Sequence, residues 1–287
     1  MRLSINLLCV TDFVDDSYLP ILELAKRAGF DGVEIPVLKG TPEHYEHLGK
    51  ILDRLDLPRT MTSIVASQDA NPVSSDASSR AGGRKHLGWI LDCAEALGAE
   101  SIGGPFHAPI GQFTGAGPTE DELRWGADAH RAMAEQAASQ GIILSLEPLN
   151  RFETHFLNTA AQAKAYAERV GHPAFRIMYD TFHANIEEKS QTEAIASLAG
   201  NLGVFHVSEN DRGIPGTGQI DFAGIFRALR ATGFDDWLCV EAFGSGLPEI
   251  AAATRVWRPL FPDNETLFLE SASFVRRQWA EAATGGS

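Results

Sequence analysis

The sequence has few cysteines, no excess of positive charge and no long apolar run. Its three cysteines, Cys9, Cys93 and Cys239, are odd in number and widely spaced, which predicts free thiols in a reducing compartment. Asp and Glu number 38 against 24 Lys and Arg, a balance that disfavours nucleic-acid and anionic-membrane partners because phosphate binding needs clustered cations. We see neither a signal peptide nor an apolar run of about 18 residues. These absences predict a cytoplasmic protein without a membrane span.

Short β-rich runs alternate with helical patterns along the whole chain. The predicted strands are residues 3–10, 33–35, 60–66, 101–104, 142–147, 175–180, 204–207 and 237–241. The predicted helices are residues 19–28, 42–55, 84–97, 120–140, 160–170, 192–199, 222–232 and, interrupted by prolines, 247–283. This alternation, without a linker, predicts a single (β/α)₈ TIM barrel domain over residues 1–287 with a frayed tail at 284–287. An open, doubly wound sheet is the alternative.

Four consecutive predicted strands, from the fifth to the eighth, each end in a side chain that can bind a metal ion. These residues are Glu147, Asp180, His206 and Glu241. The carboxyl ends of parallel strands gather at one face of the sheet, so the four side chains are expected to converge. A single carboxylate of this kind is often only a helix cap or an ion-pair partner. Four in succession predict a site for Mn²⁺, Co²⁺ or Mg²⁺, because three carboxylates and one imidazole form a mainly oxygen ligand set.

A second polar residue follows three of these ligands in the same loops. Glu153, His183 and Arg212 are predicted to bind substrate, since a polyol needs several convergent hydrogen-bonding groups. His107, in the unusual loop 105–118, and Phe243 are further candidate substrate contacts. The remaining histidines fall on predicted helices or connections and are expected to be solvated: His44, His47, His86, His130, His155 and His172.

The predicted ligand set permits proton transfer next to a carbonyl group. A divalent ion that chelates a carbonyl oxygen and the adjacent hydroxyl acidifies the neighbouring C–H proton. Glu147 and Glu241, from strands five and eight, could then act in turn as base and acid on opposite faces of the carbon, which inverts it through a metal-stabilised enediolate. One base moving the proton between neighbouring carbons would give aldose–ketose isomerisation instead.

Other cofactor and ligand motifs are weak. The segment from Gly216 to Asp221 starts like a dinucleotide fingerprint but lacks the third glycine, so we interpret it as a turn with a helix cap and expect no nucleotide cofactor. No Gly-rich P-loop and no Lys/Arg-rich phosphate loop is present, which favours a free sugar over a phosphate ester as substrate.

Three segments resemble the ketose 3-epimerases, the D-tagatose and D-psicose (D-allulose) group of the xylose isomerase-like barrels. They are residues 146–154 (LEPLNRFET), 179–188 (YDTFHANIEE) and 206–213 (HVSENDRG), and the likeness extends over essentially the whole chain. The resemblance implies Mn²⁺ or Co²⁺ on the four ligands and Glu147 and Glu241 as the acid–base pair. It also implies Glu153, His183 and Arg212 around the C1 and C2 oxygens, and assembly as a homodimer or homotetramer.

Two regions depart from that family pattern and leave the substrate open. The segment 103–109 and the first loop, around residues 8–13, differ from other members, and both should face the far end of the sugar. The alternatives are a lyase, dehydratase or isomerase acting on a keto-polyol or a 3-keto-glycoside with the same metal site. An endonuclease IV-like barrel is disfavoured by the acidic charge, and a catalytically silent sugar-binding protein would show no turnover to lose.

Overall fold

Eight parallel strands form a closed barrel in the computed structural model, which describes residues 1–284. The strands are β1 Arg2–Asn6, β2 Gly32–Pro36, β3 Arg59–Thr62, β4 Ser101–Gly104, β5 Ile143–Leu146, β6 Phe175–Asp180, β7 Leu202–Val207 and β8 Trp237–Val240. Each strand pairs with its sequence neighbours, and β1 pairs with β8 to close the ring. The predicted (β/α)₈ barrel is therefore confirmed, and the open doubly wound sheet is wrong.

Helices follow the strands and cover the outside of the barrel. They are α1 Leu19–Ala28, α2 Pro42–Arg54, α3 Ala77–Leu97, α4 Glu120–Ser139, α5 Ala160–Val170, α6 Thr181–Glu187, α7 Gln191–Ser197, α8 Phe222–Ala231, α9 Pro248–Thr254 and α10 Asn264–Thr284. Thr119 and Thr159 begin α4 and α5 with capping boxes, in which the threonine hydroxyl and the third helical side chain satisfy each other's backbone N–H groups. Asp221 caps α8, as predicted. Within residues 1–284, no helix has both the length and the apolar character needed to cross a bilayer.

The structure corrects several predicted boundaries. β1 ends at Asn6, where a 3-10 turn begins, and β3 ends at Thr62, so that residues 63–66 leave the sheet and help to form the wall of a cavity. α3 begins seven residues earlier than predicted, because the Asp76 side chain accepts the backbone N–H of Ser79 and caps it. The short helix α6 was not predicted. Residues 285–287 of the predicted frayed tail lie outside the described residues.

The strand faces that point into the barrel carry the polar side chains. On β6, β7 and β8, the apolar residues Met178, Val204 and Cys239 lie two positions before Asp180, His206 and Glu241 and therefore on the same face of each strand. In the register of the sheet Asp180 lies beside His206, and Asn6 lies beside Glu34. Because neighbouring residues in register point to the same side of a sheet, the barrel brings these side chains to one level inside it.

Candidate active site

The four predicted ligands converge at the carboxyl end of the barrel. One ligand atom from each of Glu147, Asp180, His206 and Glu241 lies within 4.8 Å of the corresponding atom of the other three. All four residues are buried. Each belongs to, or directly follows, one of four neighbouring strands, so the spacing between ligands is set by the backbone of the sheet rather than by flexible loops.

His206 presents an unsatisfied nitrogen to this cluster. Its Nε2 lies 2.8 Å from Glu34 Oε1, whereas its Nδ1 is buried, lies 3.4 Å from Glu241 Oε1 and has no hydrogen-bond partner in the described part of the chain. Buried polar atoms in proteins are usually hydrogen-bonded, so an orphan of this kind calls for an explanation. A cation held by the four ligands would provide one.

The carboxylates of the cluster repel one another in a buried site. Burial, together with the charges of Glu241 and Asp180, raises the pKa of Glu147 well above its ordinary value. Burial alone would lower the pKa of His206, but the neighbouring carboxylates of Glu34 and Glu241 raise it well above its ordinary value. Both shifts report an excess of negative charge, which a divalent cation would relieve. The residues present therefore fit a hard divalent ion bound mainly through oxygen.

Arg212 supplies positive charge to the same cluster. Its Nη1 donates to Asp180 Oδ2 at 2.9 Å and to Glu241 Oε2 at 2.6 Å. Burial by itself would raise the pKa of Asp180, but Arg212, together with His183, His206 and the Phe182 backbone N–H, holds that pKa below its ordinary value. The guanidinium carbon lies 3.8 Å from the ring centre of Phe182 and 5.0 Å from that of Phe243. Two aromatic faces therefore hold the guanidinium in place beside the carboxylates.

A cavity of about 400 Å³ opens above the cluster, and most of the predicted substrate contacts line it. Glu147, Glu153, His183, Arg212, Glu241 and Phe243 all contribute to its wall. His183 Nδ1 accepts the backbone N–H and the side-chain amide of Asn150, at 3.1 and 2.9 Å, so that Nε2 faces Glu147 Oε1 at 3.6 Å. The other walls are mainly apolar, with Leu8, Leu38 and Ile110 among them.

His107 and His130 lie behind this wall rather than on it. The His107 side chain is fully buried, stacks on Phe156, and its Nε2 lies 3.1 Å from the Glu147 backbone oxygen. The predicted substrate contact of His107 does not fit this placement, because the ring supports the backbone of Glu147 from outside the cavity. His130 was expected to be solvated, and that was wrong: it is fully buried, between Tyr166 and the Phe106 backbone oxygen.

Two buried polar residues next to the ligands, Asn6 and Glu34, were not predicted from the sequence. Asn6 donates to Glu34 Oε1 at 3.0 Å and to Glu241 Oε1 at 3.2 Å, and both Asn6 and Glu34 are fully buried. A signal for them exists, since each is a polar residue inside or at the end of an otherwise apolar strand. It is the same signal that identified the four ligands.

Fold and site together define a class of barrel, and the chain matches it in sequence. A sequence model of the xylose isomerase-like TIM barrel family matches residues 22–278. An L-ribulose 3-epimerase of Mesorhizobium japonicum is 36% identical over 252 residues, which cover 87% of this chain and 84% of that protein. A ketose 3-epimerase of Arthrobacter globiformis is 32% identical, over 89% of this chain and 88% of that protein.

Solved structures agree with these sequence matches. A structure of L-ribulose 3-epimerase superposes with a TM-score of 0.93 at 33% identity, covering 99% of this chain and 96% of the other. A D-allulose 3-epimerase of Methylomonas sp., in complex with D-allulose, superposes with a TM-score of 0.90 at 26% identity, covering 97% of both chains. The chain therefore belongs to the ketose 3-epimerase family within the xylose isomerase-like TIM barrels.

Proposed function

We propose that the chain is a divalent-metal-dependent isomerase that epimerises a free ketose at C3, with Mn²⁺ as the metal. The observation that carries the proposal is the convergence of Glu147, Asp180, His206 and Glu241 at the floor of a sugar-sized cavity. Relatives named L-ribulose 3-epimerase and ketose 3-epimerase support the choice of reaction. The structure of a relative with bound D-allulose supports a free sugar.

The four side chains of the cluster would hold the metal ion. Bound there, the ion would polarise a ketose carbonyl and the adjacent hydroxyl and so make the C3 proton more acidic. His206 would contribute Nδ1, the nitrogen without a partner in residues 1–284, and Asp180, Glu147 and Glu241 would contribute carboxylate oxygens.

Glu147 and Glu241 would share the acid–base work. One carboxylate removes the C3 proton, which leaves an enediolate, and the other carboxyl group returns a proton to the opposite face. The two side chains have different surroundings: Glu241 accepts hydrogen bonds from Asn6 and Arg212, whereas the pKa of Glu147 is raised by burial and by its carboxylate neighbours. Unequal surroundings of this kind let one carboxyl hold a proton while the other is ionised.

The polar residues of the cavity would recognise only one end of the sugar. Glu153, His183 and Arg212 lie on the same wall as the cluster, where they would bind the oxygens near C1 and C2. Apart from Arg212, which is paired with two carboxylates, Arg255 is the only Lys or Arg among the described residues that line the cavity. This supports an uncharged ketose over a phosphate ester, which needs several converging donors.

The test is incubation of the Mn²⁺-loaded protein in D₂O with L-ribulose, D-allulose, D-tagatose or D-fructose, followed by NMR. Deuterium at C3 together with the 3-epimer supports the proposal. Loss of water or of an aglycone from a keto-polyol or keto-glycoside, detected as a change of mass, would instead establish a lyase or dehydratase. Absence of exchange at C3 on every ketose would refute the epimerase proposal.

Two glutamate variants test the division of work. Glu147→Gln and Glu241→Gln should each abolish epimerisation, because both faces of C3 need a working carboxyl group. Glu153→Gln is the control, since it changes a cavity side chain outside the ligand cluster and should mainly raise KM. Full turnover in either of the first two variants would contradict the two-carboxylate mechanism. Assembly as a homodimer or homotetramer and a cytoplasmic location stay predictions from the sequence.

A further inference from the structure

Glu34 is a buried carboxylate below the ligand cluster, at the middle of β2. Its side chain has no solvent exposure. Oε1 accepts Asn6 Nδ2 at 3.0 Å and faces His206 Nε2 at 2.8 Å, and Oε2 accepts the Thr60 hydroxyl at 3.1 Å. Each partner comes from a neighbouring strand or from across the barrel, so the carboxylate connects three walls of the interior.

The fold itself gives no reason for a carboxylate at this position. Burial of a charged group is costly, and apolar residues of similar volume often serve stability equally well. Elsewhere in the barrel, β6, β7 and β8 hold the buried apolar residues Met178, Val204 and Cys239. A fully buried carboxylate in such an interior indicates a task that an apolar side chain cannot perform.

The geometry of His206 shows what that task is. A neutral imidazole carries its proton on either nitrogen, and the partner of one nitrogen decides which. When the ring is neutral, Glu34 Oε1 at 2.8 Å favours the proton on Nε2, which leaves the lone pair of Nδ1 facing the carboxylate cluster. Without this acceptor the proton could lie on Nδ1, 3.4 Å from Glu241 Oε1, where it would block ligation.

We propose that Glu34 is a positioning residue for metal binding: it fixes the tautomer and orientation of His206 so that Nδ1 is available to the ion. The proposal rests on the metal site of the proposed function. Asn6 extends the arrangement to a second ligand, because its amide joins Glu34 Oε1 to Glu241 Oε1. Its own orientation is fixed by the Leu8 backbone N–H, which donates to Asn6 Oδ1 at 2.9 Å.

A second ion bound by Glu34, His206 and Cys239 is the competing explanation, since these three side chains also lie close together. All three are fully buried. His206 Nε2 already faces Glu34, and the Cys239 thiol lies 3.5 Å from the same oxygen. These contacts favour a hydrogen-bonded support over a second ligand set, and metal stoichiometry separates the two.

The experiment measures Mn²⁺ binding by calorimetry and the His206 tautomer by ¹⁵N NMR of the metal-free protein, at a pH high enough for the ring to be neutral. Glu34→Gln keeps an acceptor for Nε2–H but removes the charge, so Mn²⁺ affinity should fall about 10- to 100-fold with the tautomer retained. Glu34→Met removes the acceptor as well, so both the affinity and the Nε2–H signature should be lost. Glu209→Gln is the matched control, because Glu209 is an equally buried carboxylate whose partners are backbone N–H groups. It should bind Mn²⁺ like the wild type.

Three results would overturn the proposal. Glu34→Gln binding Mn²⁺ within about threefold of the wild type would show that the Glu34 charge has no role, since support of a ligating histidine is worth at least tenfold. Two Mn²⁺ ions per wild-type chain and one in Glu34→Gln would make Glu34 a ligand instead. A wild-type chain that binds no Mn²⁺ would refute the proposed function together with this role. Melting temperatures in EDTA show whether each variant is folded.

Discussion

His130 gives the fold a predictable weakness to acid. Its two ring nitrogens are satisfied only in the neutral form: Nε2–H donates to the Phe106 oxygen at 3.2 Å, and Nδ1 accepts the Tyr166 hydroxyl at 2.7 Å. Burial lowers the pKa of His130 to about 4, against 6.5 for the exposed ring. Between these two values the unfolded chain takes up a proton that the folded chain refuses, so stability falls as the pH is lowered below 6.5.

The size of the effect follows from the two pKa values. Each pH unit in this window removes about 1.4 kcal/mol, so lowering the pH from 7 to 5 costs roughly 2 kcal/mol at this residue. For a chain of this length that corresponds to a melting temperature lower by about 3 °C. His130→Gln keeps a donor and an acceptor but cannot titrate. Between pH 7 and pH 5 this variant should therefore lose about 2 kcal/mol less of its free energy of unfolding than the wild type.

The assay compares thermal unfolding of metal-free wild type, His130→Gln and His47→Gln at pH 7 and pH 5. His47 lies on the exposed side of α2, so its replacement controls for the loss of a histidine. Equal pH dependence of the wild type and His130→Gln would show that burial of the neutral ring does not weaken the fold in acid.

Three further perturbations test packing, metal binding and charge. Gly82→Ala should lower the melting temperature, because its Cβ would lie 1.9 Å from the backbone oxygen of Asp69. Gly88→Ala, on the same helix, meets no atom within 4 Å and should stabilise the fold by about 0.5–1 kcal/mol. Equal changes in melting temperature for the two variants would contradict the close packing of Gly82 against Asp69. Saturating Mn²⁺ at about 100 times Kd should stabilise the wild type by about 2.7 kcal/mol, and His206→Ala should lose this gain in a melting assay. Arg212→Met should lower kcat/KM about 10- to 100-fold, because a charged hydrogen-bond donor is lost from the cavity. It should not weaken Mn²⁺ binding measured by calorimetry, because it removes a cation that competes for two ligand carboxylates.

The sequence predicted those parts of the site that depend on strand order alone. The strand ends of a parallel barrel meet at one face whatever the helices do, so the sequence is enough to group Glu147, Asp180, His206 and Glu241. Element boundaries were less accurate, since they depend on tertiary contacts. β3, for example, stops at Thr62 because the chain turns aside to form the cavity wall.

The environments of His130 and Glu34 were not predicted from the sequence, for two different reasons. His130 lies on the same face of α4 as Ala127, Ala134 and Ala137, so helical spacing placed it in the core, but its chemical type suggested solvent. The role of Glu34 depends on the barrel, which places Glu34 Oε1 2.8 Å from Nε2 of His206, a residue 172 positions away in sequence. The local sequence could therefore mark Glu34 as a polar residue within a strand, but it could not show that His206 is its partner.

The first four strands with their loops and the last four contribute different kinds of side chain to the cavity wall, and this difference suggests how the protein can be re-engineered. The cavity residues from the first half, such as Leu8, Leu38 and Ile110, are neutral, whereas the charged ones come from the second half. Exchange of the first half between relatives is therefore a route to new sugar preferences with the reacting groups unchanged. The graft must keep an asparagine at position 6 and a glutamate at position 34, because these two residues of the first half hold His206 and Glu241 in the second.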